Sequence, residues 1–222
     1  MNSGEFVLID YVGRVKDPNE IFDITKEDVA KKEGVYKNEF KYGPVPIIID
    51  ADFVLPGLNE AVKEMEVGQK KIVELPPEKA FGKRSEELIK LIPEPRFHEQ
   101  SIEPHVGEYI TINKLRGKVM SIDGGRVRVD FNHPLAGKTL VYEIEVVGKI
   151  NENSEKVKAV VYYFIGVPNE DVKVEVKEKE AEISFTKRFD IHNEAKQNIA
   201  DTIIKWAGFD KVRFVDVFEK TK

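Results

Sequence analysis

The chain has 222 residues, 41% hydrophobic and 34% charged, with 35 basic and 40 acidic side chains mixed along its length. That size and balance describe an ordinary globular protein of one large unit or two to three small ones, and exclude disorder over most of the chain. A net charge of -5 offers no basic stripe to nucleic acid, and the lack of cysteine removes disulfides, thiolate catalysis and cysteine-held metals. The start "MNSGEFVLIDYVG" has no basic lead into an apolar run, and no stretch reaches the roughly 20 apolar residues needed to cross a bilayer. The expectation is a cytoplasmic protein with neither nucleic acid nor membrane as partner.

In chain order, "EFVLIDYVGRV" from Glu5 to Val15 is rich in β-branched and aromatic residues and predicts a strand. Asp17, Pro18 and Asn19 predict a turn and a returning strand at Ile21 to Asp23. Between Ile24 and Pro46 runs a long, charged, weakly patterned segment; a connection of that length is usually functional or mobile, and this one could alter access to a site. "IIID" resumes a strand. In "PGLNEAVKEMEVG" the residues Leu58, Val62 and Met65 fall on one helical face, and Gly68 stands where the helix would end. "KKIVELP" predicts another strand, closed by Pro76 and Pro77.

From Arg84 the texture changes. Asp123-Gly124 between two alternating runs predicts a hairpin inside a small β-rich insert over 84–128, after which "VYEIEVVGKI" is a clean strand. "NENSE" at 151–155 has the composition of a linker. Beyond it "KVKAVVYYFIG", "DVKVEVKE", "EAEISFTK" and "KVRFVDVFEK" are strand candidates, with Val172, Val174 and Val176 giving the second a buried face. Ala195, Ile199, Ile203 and Trp206 predict a helix capped by Asn193 and stopped by Gly208, with Trp206 in the core of a separate domain.

"DYVGRV" with "IFD", then "VLPGLNEAV", "AFG" and "NHPLAGKTLVYEIEV" resemble, in order and approximate spacing, the FKBP-type peptidyl-prolyl cis-trans isomerases over about residues 5 to 150. The insert between "AFG" and "NHPLAGKTL" is similar to that of the SlyD branch, and the C-terminal extension resembles the long-chain archaeal members. The resemblance implies an α+β fold: a bent antiparallel sheet around a short helix (1–83 and 129–150), an inserted β-rich flap domain (84–128) and a C-terminal α+β domain (151–222). It also implies an apolar cup with no nucleophile and no cofactor. Carried over residue by residue, the catalytic positions would be Tyr11, Phe22, Asp23, Leu55, Phe81 and Tyr142, with Val54, Leu58 and a flap residue near Val45 touching substrate. Many family members place a tryptophan where this chain has Leu58; SlyD-like relatives also lack that tryptophan.

Ile89, Leu91, Ile92, Ile102, Val106, Tyr109, Ile110 and Ile112 are more apolar surface than an insert of that size buries well. The resemblance implies that they hold unfolded or proline-containing chains, and that the C-terminal domain forms a homodimer. His98, His105, His133 and His192 have no ligand spacing, so no metal is expected and structural or solvent roles are assigned to them. A non-catalytic holdase and a scaffold for one proline-containing partner are the competing readings.

Overall fold

The computed structural model describes residues 1–218. Strand β1 (Phe6–Val15) is the spine: it pairs antiparallel with β2 (Ile21–Ile24) along one half of an edge and with β3 (Val45–Ile48) along the other. Between β2 and β3 the chain makes a closed excursion holding the short helix α1 (Glu27–Lys32), and the Gly43 N–H donates to the Thr25 carbonyl across its neck at 2.8 Å. Helix α2 (Pro56–Lys63) and β4 (Lys70–Leu75) follow.

The insert is a four-stranded antiparallel sheet in the order β5-β8-β7-β6, built from β5 (Ile89–Pro93), the single turn α3 (Pro95–His98), β6 (Tyr109–Ile112), β7 (Leu115–Asp123) and β8 (Arg126–Asp130). Gly124 and Gly125, both at positive φ, make the hairpin turn between β7 and β8, a backbone conformation that costs glycine nothing. β9 (Leu140–Lys149) then returns between β1 and β4, completing a five-stranded sheet whose inner face packs Val7, Ile9, Leu140, Ile144 and Val146 on Leu58, Val62 and Met65.

The C-terminal unit comprises α4 (Asn153–Ile165), β10 (Val172–Lys177), β11 (Glu180–Phe185), α5 (Asn193–Ala207) and β12 (Lys211–Val215). β10 and β11 are antiparallel, and α5 carries the chain across to β12, parallel to β11. Its core continues into the first sheet, because Phe6 and Ile48, on the outer face of β1 and β3, are buried with Val157, Val160, Ile199 and Ile203.

Several sequence expectations are corrected here. "KVKAVVYYFIG" is not a strand but most of α4, and "NENSE" is no spacer, since the helix begins at Asn153. The physical cause is the outer sheet face: Val157, Val160, Val161 and Phe164 recur at helical spacing and cover Phe6 and Ile48, and that burial outweighs β-propensity. α2 stops at Lys63, so Met65 is buried from a turn beyond the helix and Gly68 (φ 84) ends that turn, not the helix. α5 is preceded by His192 in the capping position, with Asn193 already inside the helix; Gly208, at φ 79, does terminate it. Trp206 does pack against the C-terminal core, half-buried, and a Cβ on Gly4 would stand 3.4 Å from its ring, so it also borders the first unit. The expected strand face of β10 fades from Val172, which is buried, to Val176, which is exposed. The end of "KVRFVDVFEK" lies outside the described residues. Among those residues no helix is long and apolar enough to cross a membrane.

Candidate active site

The alternation of β1 sends Tyr11 and Gly13 to the same inner face as Val7 and Ile9. Gly13 lies opposite both Tyr142 on β9 and Asp23 on β2, and a Cβ there would stand 3.0 Å from the Tyr142 ring and 3.1 Å from that of Phe22. The missing side chain is what lets these two rings meet over the strand. Their centroids are 5.7 Å apart at 89°, Tyr11 meets Tyr142 at 5.6 Å, and Phe22 meets Phe81 at 6.4 Å, all edge to face, the arrangement favoured by ring quadrupoles.

α2 closes the other side. Pro56 opens the helix with its fixed φ, and Leu55 stands before it as N-cap residue, so the Leu55 N–H has no carbonyl partner within the helix. Gly57 permits the close approach: a Cβ on it would come within 2.6 Å of Leu75 and 3.0 Å of the Lys79 side chain. Together these elements frame a cavity of about 670 Å³ lined by Tyr11, Phe22, Asp23, Val54, Leu55, Leu58, Phe81 and Tyr142, with Asp52, Phe53, Pro56, His133 and Leu135 completing its wall. That size suits a small-molecule or side-chain pocket.

Tyr11 donates its phenolic proton to Asp23 Oδ2 at 2.8 Å. Burial, reinforced by the Asp23 charge, pushes the Tyr11 and Tyr142 phenols well above the usual tyrosine range, so both remain protonated. Asp23 itself touches solvent at the rim but has the mass of the cup behind it. That burial raises its carboxyl above the ordinary value, although bonds from Tyr11 and from the Ile24 N–H pull the other way. The lining holds no serine, cysteine or lysine. It can grip an apolar ring and orient a polar group, and it offers none of these three for covalent catalysis.

Val45 is not in this lining. It sits on β3 opposite Ile9, packed against the inner core. The segment 25–43 does not line the cup either; its Tyr36 and Tyr42 stack on each other, and Lys41 and Tyr42 border a larger, charge-mixed groove of about 740 Å³ beside α4. Five wall residues escaped the sequence reading: Asp52, Phe53, Pro56, His133 and Leu135. His133, expected to be structural or solvated, stacks flat on Phe81 with centroids 4.2 Å apart at 7°. Phe53 is simply the neighbour of Val54, and adjacency was its one signal.

In the insert, Ile110 and Ile112 are not exposed: they are buried with Phe97, Val119, Val127 and Val129, and Ile92 and Ile102 pack beside them. Ile89 is half-buried, and Leu91 (63% exposed), Val106 (62%) and Tyr109 (45%) are open to solvent.

Comparison with known proteins agrees with this geometry. Residues 90–135 match the family model described as "FKBP26, IF domain". The chain is 37% identical over 146 residues to the short-type peptidyl-prolyl cis-trans isomerase of Methanocaldococcus jannaschii, a match covering 66% of this chain and 92% of that one. It is 32% identical to a probable FKBP-type 16 kDa peptidyl-prolyl cis-trans isomerase of Pseudomonas fluorescens, over 49% of this chain and 74% of the relative. With the FKBP-type isomerase SlyD of Helicobacter pylori it shares 25% identity over 68% of this chain and 76% of the other. A cup of aromatic rings at the head of a short helix, and relatives of this identity and coverage, give one conclusion: the chain belongs to the FKBP-type peptidyl-prolyl cis-trans isomerases.

Proposed function

We propose that this isomerase works in the cup between β1, β2, β9 and α2, and that it accelerates protein folding by easing rotation about Xaa-Pro bonds there. The observation carrying this reading is the convergence of Tyr11, Phe22, Phe81 and Tyr142 on one cavity whose lining has no serine, cysteine or lysine. Amide resonance separates charge between nitrogen and oxygen and imposes a rotation barrier of about 18–20 kcal/mol. Twisting the bond abolishes that separation. A water-poor aromatic wall solvates the planar dipolar amide poorly and the twisted one comparatively well, so it favours the transition state over the ground state without a covalent step. In this reading the proline ring sits among Phe22, Phe81 and Tyr142, the Leu55 N–H at the head of α2 holds a substrate carbonyl, and Tyr11 and Asp23 orient the twisted group at the rim.

The insert would deliver the substrate. Its outer sheet face carries Ile89, Leu91 and Tyr109 with Lys118, Arg126 and Arg128 and the acidic Asp123 and Asp130, and the Arg116 guanidinium lies 4.9 Å over the Tyr109 ring, a surplus of cations. Exposed apolar side chains among cations suit unfolded segments that are apolar and locally acidic. The test compares two substrates. Phe81→Ala or Tyr142→Ala should lower kcat/KM on a proline peptide about tenfold or more, with suppression of client aggregation retained. Replacing residues 86–130 by a short loop should spare the peptide reaction and remove acceleration of a proline-limited refolding. Full activity in the first pair would discard the cup, and undiminished refolding catalysis in the second would discard delivery.

The other proposed partner is a second copy of the chain, meeting through the C-terminal unit. Among the described residues β10 and β12 each have an unpaired edge, and Val217 and the 90% exposed Phe218 follow β12. Light scattering should give twice the chain mass, and Phe218→Ser should shift it towards the single chain; a single-chain mass for the unaltered protein would remove the dimer. The interior of a cell, the cytoplasm, is the compartment this activity suits.

A further inference from the structure

The segment from Asp50 to Leu55, which forms one wall of the cup and leads into α2, is not held by its own backbone preferences. Asp50 and Asp52 have φ of 64° and 58°, a left-handed conformation that side chains other than glycine rarely adopt, so the turn needs ties from outside. On one side α2 supplies them. The Asp50 N–H donates to Asn59 Oδ1 at 3.0 Å, Asn59 Nδ2 donates to Asp50 Oδ1 at 2.8 Å, and Lys63 pairs with Oδ2 at 2.7 Å. On the other side the tie comes from the C-terminal unit. Tyr163 of α4 stacks on Phe53 with ring centroids 3.8 Å apart at 23°, and Phe164 meets the same ring edge-on at 6.4 Å.

Phe53 therefore belongs to two structures at once, as part of the cup lining and packed against the core that α4 completes. Tyr163 does not line the cavity, and the residue is 43% exposed. The stack on Phe53 ties it to the catalytic unit. We infer that Tyr163 is a positioning residue for the isomerase reaction, through which helix α4 clamps Phe53 and fixes the cup wall that presents Val54 and the Leu55 N–H. The Asp52 carboxylate, next to Phe53, lies close enough to help burial raise the Tyr163 phenol, in keeping with a hydroxyl that stays neutral beside the clamp. The inference rests on the cup being where the Xaa-Pro bond turns over.

The experiment uses the full chain and a proline peptide, with Tyr163→Ala, Tyr163→Phe, Phe53→Ala, the Tyr163→Ala/Phe53→Ala pair and Tyr142→Ala measured together. Losing an aromatic stack predicts a fall in kcat/KM of about three- to tenfold in Tyr163→Ala, carried mainly by KM because a looser wall grips the substrate less well. A partly unfolded population would instead lower kcat at unchanged KM. Tyr163→Phe keeps the ring and should stay within about twofold of the unaltered protein, and adding Tyr163→Ala to Phe53→Ala should cost nothing more. If the alanine variant proves unstable by its thermal midpoint, Tyr163→Leu restores apolar contact without a flat ring, and the same rise in KM is expected. An unaltered KM in a folded Tyr163→Ala or Tyr163→Leu, or a full additional loss in the double variant, overturns the clamp. If that happens while Tyr142→Ala is crippled, the cup stands and only the clamp fails; an active Tyr142→Ala removes the cup itself.

Discussion

Asp23 is the one ionisable group of the cup whose charge is set against its surroundings. Burial raises its carboxyl above the ordinary value of 3.8, while the Tyr11 hydroxyl and the Ile24 N–H soften that effect without cancelling it. The linkage has a definite sign. The folded chain takes up this proton at a higher pH than the unfolded chain does, so ionised Asp23 costs stability at neutral pH, and the cost is relieved as pH falls through the raised folded value towards 3.8. In Asp23→Asn this dependence is absent. Thermal midpoints taken from pH 7 down to pH 4 should show the unaltered protein gaining on Asp23→Asn, and a loss instead would mean that Tyr11 stabilises the carboxylate outright. A rim carboxylate kept at a cost fits a polar group retained for its effect on substrate.

Elements with a single clear period were legible in advance: β1, β4 and β9 alternate or carry long β-branched runs, and the β7–β8 hairpin was expected one residue early, since Asp123 pairs with Arg126 and the turn is Gly124-Gly125. The stretch forming α4 has two compatible readings. "VVYYFI" has the β-branched and aromatic content of a strand, yet Val157, Val160, Val161 and Phe164 also make a helical stripe, and only the sheet face that needs cover decides between them. The cup was legible where a motif gave both residue type and order, as for Tyr11, Phe22, Asp23, Phe81 and Tyr142. His133 was opaque because its place depends on two loops meeting, with the Gly137 N–H donating to the Gly82 carbonyl at 2.8 Å and bringing the imidazole over Phe81. Phe53 was opaque because its partner lies about 110 residues away, on a helix that the local pattern disguised.

In the whole molecule three sheets are joined in two different ways. The C-terminal unit shares a core with the first sheet, so ending the chain at Ile150 would bare Phe6 and Ile48. The insert shares no core with the rest and is attached at a neck. Asn132 bridges the two crossing strands there: it accepts from the Ser85 N–H at 2.8 Å, donates to the Ser85 carbonyl at 2.9 Å, and is oriented by Asp130, whose Oδ1 accepts from its N–H and its Nδ2. Arg84 pairs with the other Asp130 oxygen at 2.5 Å. Burial works to raise the Asp130 carboxyl, but the Asn132 donors and Arg84 outweigh it and hold the group below the ordinary value of 3.8. Its contribution is thus present above 3.8 and is lost as pH falls through the lowered folded value. Asp130→Asn should reproduce that loss at neutral pH. Bonds to a charged partner are worth about 1.5–3 kcal/mol, so the Ser85 and Asn132 amides should exchange with deuterium about tenfold faster or more in the variant. The amides of Val119, Val127 and Val129, inside the insert's own core, should exchange as before, because what loosens is the joint and not the sheet it carries. Equal acceleration throughout the insert would mean that Asp130 supports the fold of the insert itself, and unchanged exchange at Ser85 would mean that the neck is held by something other than this carboxylate.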